Sequence, residues 1–267
     1  MGELEAALRD RRSAGGRAFV PYVTGGFPGV DPDLLRELEA AGADAIEVGI
    51  PHSDPVMDGG VIQEASRRSL EAGTRPPDVL ATVREAALRI PVAVMTYVNP
   101  ILRRGVEAFL DEAREAGVAA TIVPDLPVDE AEAFDEACAA RGIDAVLLAA
   151  PGTGEERLAR IGAAAHGFVY CVAAYGVTGA RGSLSDVARE LVEALRALTD
   201  LPLLVGVGIG SPDQAAEACG FADGVIVGSA MMTPLLDGDR PAALELARAF
   251  RGAIPAGIGR PGAEPSI

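Results

Sequence analysis

Short, unbroken apolar runs recur along this chain, and helical patterns fill the intervals between them. The runs read as strands at 18–23, 44–49, 92–97, 119–123, 144–149, 168–173, 203–207 and 223–227. They show almost no in–out alternation, so both faces must be buried, as in a parallel sheet. Eight such phrases in 267 residues predict one closed (β/α)8 TIM barrel. The barrel is expected over residues 1–252, with an extra amphipathic helix at Leu4–Arg12 and a loose tail at 253–267. A doubly wound sheet is the alternative, but it requires fewer strands or a second domain.

The basic residues narrow the chemistry. Lysine is absent, so all 23 cations are arginines. That excludes a Schiff-base mechanism and a pyridoxal cofactor held covalently on this chain. Only two histidines, His52 and His166, and three scattered cysteines, Cys138, Cys171 and Cys219, are present. No metal site is expected from them, and free cysteines without a disulfide framework suit a reducing cytoplasm. A net charge of −16 argues against a nucleic-acid partner. It leaves an anionic small substrate open, because local backbone dipoles can outweigh a global charge. There is no apolar run long enough to span a membrane, and the charged, helical start of the chain is unlike a secretory leader.

In a barrel of this kind, chemistry sits at the C-terminal ends of the strands and in the loops that follow. One stretch satisfies that rule with three carboxylates. Glu47 lies inside the apolar run Ile46-Glu47-Val48-Gly49-Ile50, and Asp54 and Asp58 follow in a loop rich in proline and glycine. A buried acid needs a partner or a use. For Glu47 the structural reading is a pair with an arginine; the functional one is a general acid/base whose pKa is raised by apolar walls. For Asp58 the alternatives are an N-cap of the next helix or a fixed catalytic anion. Asp54, between Ser53 and Pro55, suits an Asx turn or a partner contact. His52 belongs to the same loop and His166 to a surface turn.

The last three loops read together as one phosphate site. Val177-Thr178-Gly179, Gly206-Val207-Gly208 and Gly228-Ser229 each follow a strand and offer glycine-exposed N–H groups with two hydroxyls. Taken singly, each glycine is only a tight turn. Gly206-x-Gly208-x-Gly210 has the wrong spacing for a dinucleotide fingerprint. Phe19, Tyr22, Tyr97, Phe168 and Tyr170 fall in strands and read as core, with Tyr22 and Tyr170 also placed to line an aromatic ligand's pocket.

Glu47-x-Gly49-Ile50-Pro51-x-Ser53-Asp54-Pro55-x-x-Asp58-Gly59 resembles the signature of the tryptophan synthase alpha chain family. The resemblance continues through Phe19-Val20-Pro21, Tyr97-x-Asn99-Pro100, Pro124-Asp125-Leu126-Pro127, Gly176-Val177-Thr178-Gly179 and Gly228-Ser229. It implies a lyase that splits indole-3-glycerol phosphate into indole and glyceraldehyde 3-phosphate. Glu47 then matches the acid/base and Asp58 its partner carboxylate. Tyr170, Gly179, Gly208, Gly228 and Ser229 match substrate or phosphate positions, with Thr178 beside them. Tyr22, Ile50, Met95, Ile122 and Val207 are expected around the indole, and Asp54 matches a loop position that communicates with a beta chain. The implied assembly is alpha–beta–beta–alpha, with pyridoxal phosphate on the beta chain and no cofactor here. A stand-alone indole-releasing lyase, a phosphosugar isomerase or epimerase, and a non-catalytic activator are the alternatives. His52, Gly60 and Ala174-Tyr175 depart from the family pattern, and Gly60 is expected to loosen the loop carrying Asp58.

Overall fold

The computed structural model describes residues 1–173 and 184–257. The expectations on Thr178, Gly179 and Ala174-Tyr175, and on the tail beyond 257, lie outside the described residues. Eight parallel strands form a closed barrel in sequence order: β1 (Ala18–Thr24), β2 (Ile46–Gly49), β3 (Val92–Met95), β4 (Val118–Ile122), β5 (Asp144–Ala149), β6 (Val169–Val172), β7 (Leu203–Gly206) and β8 (Gly224–Val227). β8 pairs back onto β1 with Val20 beside Ile226. The first half of the chain contributes α1 (Glu3–Ser13), α2 (Pro32–Ala40), α3 (Gly60–Glu71), α4 (Pro76–Ala86), α5 (Val98–Arg104) and α6 (Val106–Glu115). The second half adds α7 (Glu132–Ala139), α8 (Glu155–Ala164), α9 (Leu184–Arg196), α10 (Pro212–Ala218), α11 (Ser229–Leu236) and α12 (Arg240–Ala253). Among the described residues, no helix is long and apolar enough to cross a membrane.

The strands are buried on both faces, as their unbroken apolar runs predict; all seven residues of β1 are inaccessible. One set of side chains fills the barrel interior: Val20, Ala93, Ala120, Ile122, Val146, Tyr170, Leu204 and Ile226. The other set, including Val23, Val48, Val94 and Val205, meets the helices outside. α1 plugs the barrel floor by placing Leu4 and Leu8 into the interior set. Three aspartates at or just before strand starts fasten that floor. Asp144 accepts the Gly2 and Glu5 N–H groups at 3.1 Å each, which caps α1 from another element. Asp44 takes Arg11, the Phe19 N–H and Arg251, while Asp223 takes Arg12, Arg196 and the Leu203 N–H.

Several strand ends shift by one or two residues from the expected ones, and two other boundaries differ more. Asn99-Pro100, read as the stop after β3, lies within the first turn of α5. Proline is tolerated there because the first turn has no intrahelical use for its N–H. Residues 253–257, expected as the start of a loose tail, are held at the floor. α12 runs to Ala253, Ile254 is buried, and the carbonyls of Pro255 and Ala256 accept from Arg17 N–H and Arg11.

Candidate active site

The strand register explains how Glu47 reaches the mouth. Glu47 pairs with Tyr22 on one side and Ala93 on the other, so its side chain projects into the barrel interior. Glycine makes room for the neighbouring rings. A Cβ at Gly49 would collide with the Tyr22 hydroxyl, and one at Gly206 with the Tyr170 hydroxyl. Both tyrosines therefore lie across gaps left by the two glycines. The same parity sends Ile50 outward: it joins the outer packing set and does not line the mouth. Ile122 does face inward, but it lies in the packed interior and outside the cavity lining.

A cavity of about 720 Å3 opens at this end of the barrel. It brings together Glu47, Asp58, Tyr22, Met95, Tyr170, Val207, Gly208, Gly228 and Ser229 from the sequence-predicted set. Asp54 is exposed on the loop and stays out of the lining. Sequence reasoning missed Leu148, Val172 and Ile226, which complete the apolar wall. Their signal was available: each lies an even number of residues from an inward neighbour, Val146, Tyr170 and Gly228 respectively.

Glu47 is 1% exposed, and its Oε2 has no hydrogen-bond partner among the described residues. Among the described residues no arginine pairs with it, so the ion-pair reading finds no support there. Burial first, and the nearby Asp58 charge second, push its pKa up to about 8. Asp58 is not a helix cap: α3 starts from Gly59 without side-chain capping. Burial raises Asp58 to about 6, against a hydrogen bond from the Tyr97 hydroxyl that favours its ionised form. Tyr97 thus touches a candidate catalytic group, although its sequence context reads as strand core. The Tyr22 and Tyr170 hydroxyls are pushed well above the ordinary tyrosine range by burial and by the two carboxylates, so they stay neutral.

A helix start also lines the cavity. α11 begins at Ser229, directly after Gly228, so its first N–H groups lack intrahelical acceptors. Gly59 approaches the Ser229 hydroxyl closely enough that an added Cβ would lie 3.9 Å from it. Beside this, Val207 adopts a left-handed backbone with φ of 65°, followed by Gly208 at 98°. A β-branched residue seldom accepts that conformation, and such strain concentrates at ligand sites. The site therefore combines a buried acid with a raised pKa, a neighbouring carboxylate, an apolar wall and a helix start with free N–H groups.

The family model described as tryptophan synthase alpha chain matches residues 8–250. The chain belongs to the tryptophan synthase alpha chain family. A tryptophan synthase alpha chain from Streptomyces avermitilis is 47% identical over 260 residues, covering 96% of this chain and 94% of that protein. One from Carboxydothermus hydrogenoformans is 45% identical, covering 87% and 88%. The barrel superimposes on tryptophan synthase of Mycobacterium tuberculosis with a TM-score of 0.88 at 37% identity, covering 96% of this chain and 99% of that one. Tryptophan synthase subunit alpha of Legionella pneumophila gives 0.86 at 32% identity, covering 95% and 98%. The closed barrel of eight strands in sequence order excludes the doubly wound alternative, and the superpositions agree with it.

Proposed function

We propose that this chain cleaves indole-3-glycerol phosphate by a retro-aldol reaction, as the alpha subunit of a tryptophan synthase. Two proton movements are needed. Indole C3 must gain a proton, and the hydroxyl on the adjoining carbon must lose one as the carbon–carbon bond breaks. The bonding pair returns to the ring, giving indole and the aldehyde of glyceraldehyde 3-phosphate. Glu47, with its pKa near 8, holds a proton at neutral pH to deliver to C3. Its carboxylate then takes the hydroxyl proton, so the residue ends as it began. Asp58, with its pKa near 6, is an anion at the same pH. It balances positive charge growing on the ring N–H. The ring is its own electron sink, so neither lysine nor metal is required.

The apolar wall of Tyr22, Met95, Leu148, Tyr170, Val172 and Ile226 suits the indole. The start of α11, with Gly208 opposite, suits the phosphate. The observation that carries the reading is Glu47 itself, a buried acid that no described residue pairs at Oε2, beside a second carboxylate. A phosphosugar isomerase would gain nothing from so apolar a wall.

A beta chain that consumes the indole is the partner in this reading. Val56, Met57 and Leu102 expose apolar side chains on the Asp58 loop and on α5, and Asp54 is exposed beside them. That combination is what a docking partner would cover. Pyridoxal phosphate would reside on the beta chain. The three buried free cysteines fit a cytoplasmic enzyme.

The deciding experiment measures indole release from indole-3-glycerol phosphate, with and without a beta chain plus serine. Slow release that the partner accelerates is the expected result. Fast release indifferent to the partner would make the chain a stand-alone lyase, and no release in either case would overturn the assignment.

A further inference from the structure

The loop between β2 and α3 carries Asp58 but contributes little to its own placement. Val56 is 68% exposed and Met57 37%, so its apolar residues are poorly buried. Its own hydrogen bonds are local: Val56 N–H to Asp54 O, Asp58 N–H to Pro55 O, and the Gln63 amide to Asp58 O. Gly59 and Gly60 then give the chain freedom just beyond Asp58. Something outside the loop must fix the carboxylate over the cavity.

Tyr97 supplies that link. It stands where β3 gives way to α5, and the backbone there is held on both sides: Thr96 N–H binds Ile122 O at 3.0 Å, and Val98 N–H binds Asp125 Oδ1 at 2.9 Å. Its ring stacks on His52, with centroids 4.8 Å apart and an interplanar angle of 22°. Its hydroxyl oxygen accepts the Met57 N–H at 3.0 Å. That leaves the hydroxyl hydrogen to donate to Asp58 Oδ2, at 3.3 Å. One oxygen therefore pins two consecutive loop residues to the barrel wall. Asp58 Oδ2 accepts in this contact, which favours the ionised form of the carboxyl.

We propose that Tyr97, braced by His52, is the positioning residue that holds Asp58 over the cavity as a fixed anion. The proposal rests on the reading of Glu47 and Asp58 given above and deepens it. Glu47 on β2, Tyr22 on β1 and Tyr170 on β6 face Asp58 across the cavity, and Asp125 after β4 faces Tyr97. None of these is a cation, so among the described residues the Tyr97 hydroxyl is the group that offsets the burial of Asp58. Without it, Asp58 would ionise at higher pH, nearer to Glu47, and the division of labour between the two acids would narrow.

The test compares Tyr97→Phe, His52→Phe, His52→Ala and Asp58→Asn by indole release from indole-3-glycerol phosphate between pH 5 and 9, in the presence of the beta chain. Tyr97→Phe should lower kcat at least tenfold, change KM less than about threefold, and move the acid limb of kcat/KM to higher pH by about one unit. His52→Phe keeps the stack and should leave the limb in place, whereas His52→Ala should move it in the same direction by less. A Tyr97→Phe enzyme whose acid limb coincides with that of the wild type overturns the proposal, whatever its kcat. Should that variant not fold, the two His52 variants decide: equal limbs in both overturn it, and a shift in His52→Ala alone supports it. An Asp58→Asn enzyme of undiminished activity sinks the underlying reading of the site instead, which separates the two failures.

Discussion

The two ends of the barrel treat buried carboxylates in opposite ways. At the floor, Asp44 and Asp223 each receive two arginines and one backbone N–H, and Asp144 receives two N–H groups from α1. At the mouth, among the described residues, Glu47 has an oxygen with no partner, and Asp58 has one tyrosine hydroxyl. The side-chain chemistry is the same; the number of donors differs. Donors at the floor tie each carboxylate to neighbouring elements. Their scarcity at the mouth leaves two acids that change protonation near neutral pH. One end of this fold satisfies its carboxylates, and among the described residues the other leaves them short of donors.

The largest effect should come from removing the movable proton. Glu47→Gln keeps the shape and the volume but cannot accept a proton, so kcat should fall by a factor of about 10^3. Binding of a substrate analogue that retains the phosphate, followed by titration calorimetry, should change less than about threefold. Undiminished turnover would remove Glu47 from the chemistry and leave the mouth as only another buried acid.

The matching change at the floor should give the reverse pattern. Asp44→Asn leaves Arg11 and Arg251 facing a neutral amide. Those arginines are partly solvated, so the cost is discounted to about 2 kcal/mol, read as a lower denaturant midpoint. Turnover at 25 °C should match the parent. A fall in kcat without loss of stability would show that the floor communicates with the site, and the contrast between the two ends would break.

Particular residues show what sequence alone could convey. The barrel was legible because its strands are unbroken apolar runs, a pattern with few other uses. Glu47 was legible as an acid where an apolar residue belongs, and Asp58 by its place in the loop after that strand. Ile50 was misplaced because its type suits an indole pocket, although alternation from Glu47 sends it outward. Ile122 has the right parity but the wrong depth. Depth depends on strand stagger, including the register shift between β3 and β4, which no local pattern encodes. Tyr97 escaped for the same kind of reason. Its partners are 40 and 39 residues away in the chain, and nothing in the Tyr97 segment marks them.

The smallest predicted effect sharpens the comparison through stability and not activity. Glu47 has a folded-state pKa of about 8, above the ordinary glutamate value of 4.5. The unfolded chain therefore releases this proton first as pH rises. Whatever stability the neutral acid contributes is complete below about pH 4.5 and is lost progressively up to about pH 8. Glutamine cannot ionise, so Glu47→Gln should be spared that loss. Its stability relative to the parent should rise from pH 5 to pH 9 by at least about 1.4 kcal/mol, the equivalent of one pKa unit. Urea midpoints at the two pH values measure it. A difference that does not change with pH would mean that Glu47 ionises as easily folded as unfolded. The mouth would then have no stored proton, and it would differ from the floor only in lacking arginines.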